Sequence, residues 1–387
     1  LSKLPSVQTL DCLKTLIGFD TTTRGSNLAL INWAAERLES SGARLRYNFS
    51  EDRSKANLFA TFGEGPGGVV LSGHTDVVPV AGQTWTTDPF TADIRDGRLY
   101  GRGACDMKAF IAVMLAKVER FGAASLREPI HCALTYDEEV GCLGVPGLLK
   151  DIQDAGIKPS GCIVGEPTDM RVVAAHKGGR IYRCRVTGVA AHSSLTPQGV
   201  NAIEYAARVI AHIQELAEHE AREGLRIDGF DVPFSTISTN MIQGGNGINI
   251  IPAHCHFHFD YRFLPGVAPD HFIDAIKRFT QERVLPAMKA KNSMADIEFD
   301  CVGEIPALNA AETDDILALA LALSGENQVG KVAYGTEASF FQQIGVPSVV
   351  CGPGSIDQAH KPDEYVALDQ LATCESFIDH LVDRLAA

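Results

Sequence analysis

Gly68-Val69-Val70-Leu71-Ser72-Gly73-His74-Thr75-Asp76 decides the fold: a short apolar run without alternation, closed by a polar tail of potential metal ligands. A strand that is apolar along its length is one covered on both faces, as in the parallel sheets of α/β proteins. Outward from it the same grammar recurs. Ile130 to Tyr136 and Gly161 to Val164 are further short apolar runs, Ala109 to Phe121 reads as helix, and Ser348-Val349-Val350-Cys351 repeats the strand pattern far downstream. Strands alternating with helices predict an α/β domain. Its sheet is mixed and mostly parallel, flanked by helices and split across the sequence.

Between these runs lies a segment of different character. Arg180 to Val186 alternates, and Asn201 to Ala217 has helical spacing through Ile203, Ala207, Ile210 and Leu216. Strands follow around Phe234 to Ile242 and Ile248 to Phe263, then a helix from Asp270 to Leu285 and a strand from Asp296 to Val302. The order βαββαβ is the ferredoxin-like α+β arrangement. The expected domains are therefore a discontinuous one, residues 1–177 and 304–387, and an inserted one, residues 178–303, with Gly178-Gly179 as one hinge.

Composition narrows the function. With 387 residues, 45% of them hydrophobic, the chain can bury two cores. A formal charge of -14 without a long basic run would repel a phosphate backbone or an anionic bilayer, which excludes nucleic acid and the membrane surface as partners. No stretch has the roughly 18–20 apolar residues of a membrane span, and no basic-then-apolar leader opens the chain, so it is read as soluble and cytoplasmic. The ten cysteines are scattered without a CxxC pair and are expected to be reduced core thiols; Cys105, beside Asp106, reads as a packing residue.

In open α/β sheets ligands bind beyond the carboxyl ends of the strands. His74, Glu139 and Glu166 all follow strand ends, His360 lies in the loop after Val349-Val350, and Asp106 precedes a helix. One such residue would be an ordinary loop residue; five at equivalent positions predict a metal centre. Two imidazoles and three carboxylates without a thiolate suit Zn²⁺, with Co²⁺ or Mn²⁺ as alternatives. One carboxylate can bridge two cations, each then taking one His and one further carboxylate, with a shared water made acidic between them. Asp76 is placed to accept the second N–H of His74. Of Glu138 and Glu139, one would bind metal and the other would move the water's proton. His254, His256 and His258 share one strand face, but without an accompanying carboxylate, and with Phe257 and Phe259 as the buried face, they are not read as a metal site.

His74-Thr75-Asp76-Val77-Val78-Pro79, Gly101-Arg102-Gly103-Ala104-Cys105-Asp106-Met107-Lys108, Asp137-Glu138-Glu139 and Gly165-Glu166-Pro167 resemble the signature blocks of the M20 metallopeptidases and deacylases. The resemblance implies two zinc ions per subunit. His74 and Glu166 would hold the first, Glu139 and His360 the second, Asp106 would bridge them, and Glu138 would be the general base. It also implies a cis peptide after Asp106, and it makes the inserted domain a lid and dimerisation domain of a homodimer, with His192 reaching into the partner subunit's site to steady the oxyanion. The blocks Gly335-Thr336-Glu337-Ala338, Gly352-Pro353-Gly354-Ser355 and Gln358-Ala359-His360-Lys361-Pro362-Asp363-Glu364-Tyr365 are most like the acetylornithine-deacetylating branch of that family. The substrate is then a small N-acyl amino acid. Glu337 would face its ammonium, Arg262 and Asn249 would hold its carboxylate or acyl oxygen, and Lys177 is a further candidate contact. The alternatives are a succinyl-diaminopimelate desuccinylase or another aminoacylase or dipeptidase, and, in another class, a metal-stabilised binding protein without catalysis. A two-metal phosphoesterase would need basic residues that this acidic chain does not supply around the cleft.

Overall fold

The computed structural model describes residues 4–386. They form two compact units: residues up to Ala175 with Leu308–Lys331 and everything from Thr336 onward, and His176–Ala307 with Val332–Gly335.

The first unit is built on one sheet. Its strands lie in the spatial order Arg44–Phe49, Ala56–Phe62, Ile130–Thr135, Val69–His74, Gly161–Val164, Ser348–Val350, Val173–His176 and Leu308–Asn309. The middle pairs are parallel and the flanking ones antiparallel, the mixed sheet expected from the sequence. Every residue of Val69–His74 and of Ile130–Thr135 is buried, which is why neither run alternates. Each wholly buried Val, Leu or Ile here contributes about 2 kcal/mol of transfer free energy. The helices Val7–Gly18, Leu28–Ser40, Lys108–Ala116 and Leu368–Leu385 cover the sheet and supply Leu16, Ile31, Phe110 and Phe377 to its core. The segment Ala109 to Phe121 is not one helix. It breaks at Lys117, whose backbone leaves helical angles (φ -101°, ψ 0°) while its ammonium reaches Asp379 at 2.8 Å.

The second unit has a four-stranded antiparallel sheet in the order Thr236–Gly244, His254–Phe263, Gly178–Thr187, Asp296–Ile305. Along the chain its elements run βαββαβ, with helices Ala202–Glu223 and His271–Phe279. On His254–Phe263 the buried residues are Cys255, Phe257, Phe259, Tyr261 and Phe263, which leaves His254, His256 and His258 on the opposite face. The phase of the long helix differs from the sequence reading. Its buried stripe is Ala202, Tyr205, Ala206, Val209 and Ile213, and Ile203 is exposed. The Asn201 side chain caps the helix by accepting from the Ile203 and Glu204 amides, which satisfies its first free donors. The helix after Asp270 likewise departs from α geometry at Thr280–Val284, a π turn, before resuming at Leu285–Lys289.

Candidate metal centre

Strand register assembles the centre. His74 lies opposite Thr135, and Ser72 opposite Val164, so three parallel strands end side by side. The chain beyond them carries Asp76, Glu138, Glu139 and Glu166, while the turn before Lys108–Ala116 brings Asp106 and the loop after Ser348–Val350 brings His360. Gly165 makes this approach feasible. A Cβ there would lie 1.9 Å from the Phe110 ring, so only glycine lets the backbone pass and deliver Glu166.

Asp106 is the middle of the group. Its Oδ1 is 2.9 Å from His74 Nε2 and its Oδ2 3.2 Å from His360 Nε2. His360 Nε2 is also 3.0 Å from Glu139 Oε2, and His74 Nε2 is 3.6 Å from Glu166 Oε1. Ligand atoms of His74, Asp106 and Glu139 fall within 4.8 Å of one another, as do those of His74, Glu138 and Glu166. The two donor groups overlap at His74, and Asp106 belongs to the first. The Asp106–Met107 peptide is cis. Asp137 and His360 both have positive φ, 56° and 63°, a conformation unusual outside glycine that places residues on either side of the centre.

The electrostatics fit a dication. Burial pushes the Glu138 carboxyl up to about 8, with His74 opposing and Glu139 and Asp106 adding to the rise. Glu166 and Glu139 are raised too, by burial first and by their acidic neighbours next. Asp106 ends below its ordinary range despite burial, because His360 and His74 hydrogen-bond to it. His360 is raised to about 10 by its hydrogen bonds to Asp106 and Glu139. Three glutamates pushed upward by burial and by one another, around an aspartate held down by two imidazoles, are a set short of positive charge, and oxygen and imidazole donors suit a divalent cation.

Several residues sit otherwise than expected. It is the backbone carbonyl of Asp76 that accepts from His74 Nδ1, at 2.9 Å; its carboxylate Oδ1 is 3.7 Å away from that nitrogen. That carboxylate instead accepts from the amides of Glu138 at 3.1 Å and Glu139 at 3.3 Å, so it shapes the acidic turn. Glu337 does not present a free carboxylate. It is wholly buried and accepts from Ser72 Oγ at 2.5 Å and Thr135 Oγ1 at 2.7 Å, which ties it beneath the two strands that end at the centre. Lys177 is also no open contact: it is 1% exposed and donates to the Phe234 carbonyl at 2.6 Å. His192 and Asn249 are exposed in the second unit, where His192 Nδ1 meets Ser194 Oγ at 2.7 Å and the Asn249 carbonyl accepts from Ser193. Arg262, half-buried, pairs with Asp260 at 2.9 Å.

Nine of the ten cysteines are buried, all but Cys301, and none is paired. Burial pushes the Cys105 thiol well above its ordinary range, as befits a packing residue. No described helix is long and apolar enough to cross a membrane. The sequence reading missed Glu364. Its carboxylate takes the amides of Gly103, Cys105 and Asp106, and no local pattern announces contacts across 258 residues.

Comparison with known proteins shows the family and the fold. The chain is 34% identical to an acetylornithine deacetylase of Pasteurella multocida, over 99% of this chain and 98% of that protein. Among solved structures, the M20 metallo-carboxypeptidase Sso-CP2 of Sulfolobus solfataricus superposes with a TM-score of 0.76 at 16% identity, covering 97% of this chain and 99% of that one. The aminopeptidase PepT of Bacillus cereus gives 0.75 at 18% identity, with 99% of each chain covered. The two structures establish likeness of fold. Since the profile of peptidase family M20/M25/M40 also matches residues 70–384, the chain belongs to that family.

Proposed function

We propose that this protein is a two-metal amide hydrolase that converts N2-acetyl-L-ornithine to L-ornithine and acetate, in arginine biosynthesis. The observation that carries the reading is Asp106, one carboxylate with its two oxygens turned to two different imidazoles. His74 and Glu166 would hold one ion, His360 and Glu139 the other, and Asp106 both; zinc is the metal the donor set suits best, with cobalt or manganese as substitutes. When bound, such a pair supplies positive charge that acidifies a water and offsets the charge developing on the amide oxygen. Glu138 takes the water's proton and returns it to the leaving nitrogen. The main-chain carbonyl of Asp76 holds the His74 tautomer with Nε2 turned inward, and its carboxylate holds the turn that carries Glu138 and Glu139.

The choice of acyl substrate is supported by the whole-length likeness to an acetylornithine deacetylase. A panel of N-acetyl-ornithine, other N-acetyl amino acids, succinyl-diaminopimelate and dipeptides, tested on zinc-loaded and cobalt-loaded enzyme, decides it. We expect kcat/KM to favour N-acetyl-ornithine by about tenfold or more, the least that a one-methylene mismatch in a fitted pocket produces. A preference for succinyl-diaminopimelate or a dipeptide overturns the assignment.

We further propose a homodimer formed through the second unit, in which His192 serves the opposite protomer's reaction. Inactive Glu138→Gln and inactive His192→Ala proteins, mixed and allowed to exchange subunits, should then recover about a quarter of wild-type activity, because one site of each mixed dimer is intact. No recovery, with exchange demonstrated, would place His192 in its own protomer's reaction or outside the chemistry.

A further inference from the structure

Two loops far apart in sequence deliver the ligands on either side of the second candidate metal position, and one buried carboxylate joins them. Glu364 lies four residues after His360 and is 1% exposed. Its Oε1 accepts from the Cys105 amide at 2.8 Å and the Asp106 amide at 2.9 Å; its Oε2 accepts from the Gly103 amide at 2.9 Å and from Arg102 Nη1 at 2.7 Å. Every one of these donors lies in the loop that ends at Asp106. Arg102, equally buried, continues the link by donating through Nη2 to Gln83 Oε1 at 2.6 Å, and Gln83 Nε2 donates to the His360 carbonyl at 2.8 Å. Thr86 adds two bonds to Asp363, from its amide at 2.9 Å and its hydroxyl at 2.7 Å.

A buried ion pair adds little net stability once desolvation is counted. What this network does supply is geometry. The His360 side chain is 54% exposed and its backbone is left-handed, so packing alone does not hold the ring; main chain anchored at its own carbonyl and at the residues just after it does. From this we infer that Glu364, with Arg102 and Gln83, forms a clamp of positioning residues that presets Asp106 against His360 and so governs the affinity of the second metal position, the one completed by Glu139. The inference rests on the two-metal reading above.

The test is a Co²⁺ titration of the metal-stripped full-length protein, followed by calorimetry and by visible absorption, for wild type, Gln83→Ala and Glu364→Gln. Gln83 is only partly buried, so its truncation leaves the fold intact should the buried substitution fail to fold. Wild type should bind two equivalents. In Gln83→Ala, which releases the His360 carbonyl, one equivalent should weaken by about 10–100-fold while the other stays within about twofold, and in Glu364→Gln, which loosens the loop of the shared Asp106, both should weaken, the scale expected when an outer partner of a metal ligand is lost. A Gln83→Ala protein that binds both equivalents as wild type does, or loses both equally, or a Glu364→Gln protein that folds and binds both as wild type does, overturns the clamp and leaves the two-metal reading standing. Uptake of fewer than two equivalents by wild type overturns the two-metal reading itself, and the clamp with it.

Discussion

Glu138→Gln should retain both metal equivalents and lose activity by about 10²–10⁴-fold, the contribution of a positioned proton carrier. The substitution keeps shape and polarity but removes the ability to accept a proton. The Glu138 amide still donates to Asp76, so the turn that carries Glu139 should hold its form. Metal content by elemental analysis, read beside turnover, separates three outcomes. Loss of activity with metal retained supports the base role. Loss of a metal equivalent would instead make Glu138 a ligand, which its grouping with His74 and Glu166 within 4.8 Å permits geometrically. Turnover like wild type would remove it from the chemistry.

Asp106→Asn is expected to act at an earlier stage, on assembly of the centre. An amide offers one oxygen where Asp106 offers two, and it carries no charge to share between two cations. Both candidate metal positions should weaken, by more than the roughly 10–100-fold seen when only an outer partner is lost. Calorimetric titration with Zn²⁺, alongside a melting curve of the metal-free protein to establish folding, checks this. Loss of one equivalent alone would show that Asp106 serves a single ion and that the bridge lies elsewhere.

The fold and the centre differ in how far they were legible. Val69–His74 and Ile130–Thr135 betray their burial by lacking alternation, and the residues that follow such strands must come together once the strands are parallel neighbours, so position pointed to His74, Glu166 and the Glu138-Glu139 pair as candidates, whereas the role of each ligand, Asp106 and His360 included, came from the family resemblance. Side-chain direction was less accessible. Asp76 sits where a carboxylate can reach His74, yet its carbonyl takes that bond, because the half-buried amides of Glu138 and Glu139 compete for the carboxylate. Glu337 and Lys177 carry charges that composition sends to the surface, and it is their polar partners, Ser72, Thr135 and the Phe234 carbonyl, that let them be buried. Helix phase failed at Ile203 because hydrophobicity ranks Ile above Tyr or Ala, whereas the face that packs is the one carrying Ala202, Tyr205, Ala206, Val209 and Ile213. Glu364 left no trace in its own neighbourhood because every partner belongs to another stretch of chain.

The strand Ser348–Val350 lies between Gly161–Val164 and Val173–His176, although all of the second unit is synthesised before it. A ribosome-bound chain that has not yet made this strand therefore holds two bare strand edges in the middle of its sheet, ready to pair with any other nascent chain nearby. Arrival of a few late apolar residues closes that gap and, through the loop that follows, brings His360 to Asp106. Newly made molecules should accordingly depend on chaperones until translation is nearly finished, and should gain their ability to capture metal in the same final step.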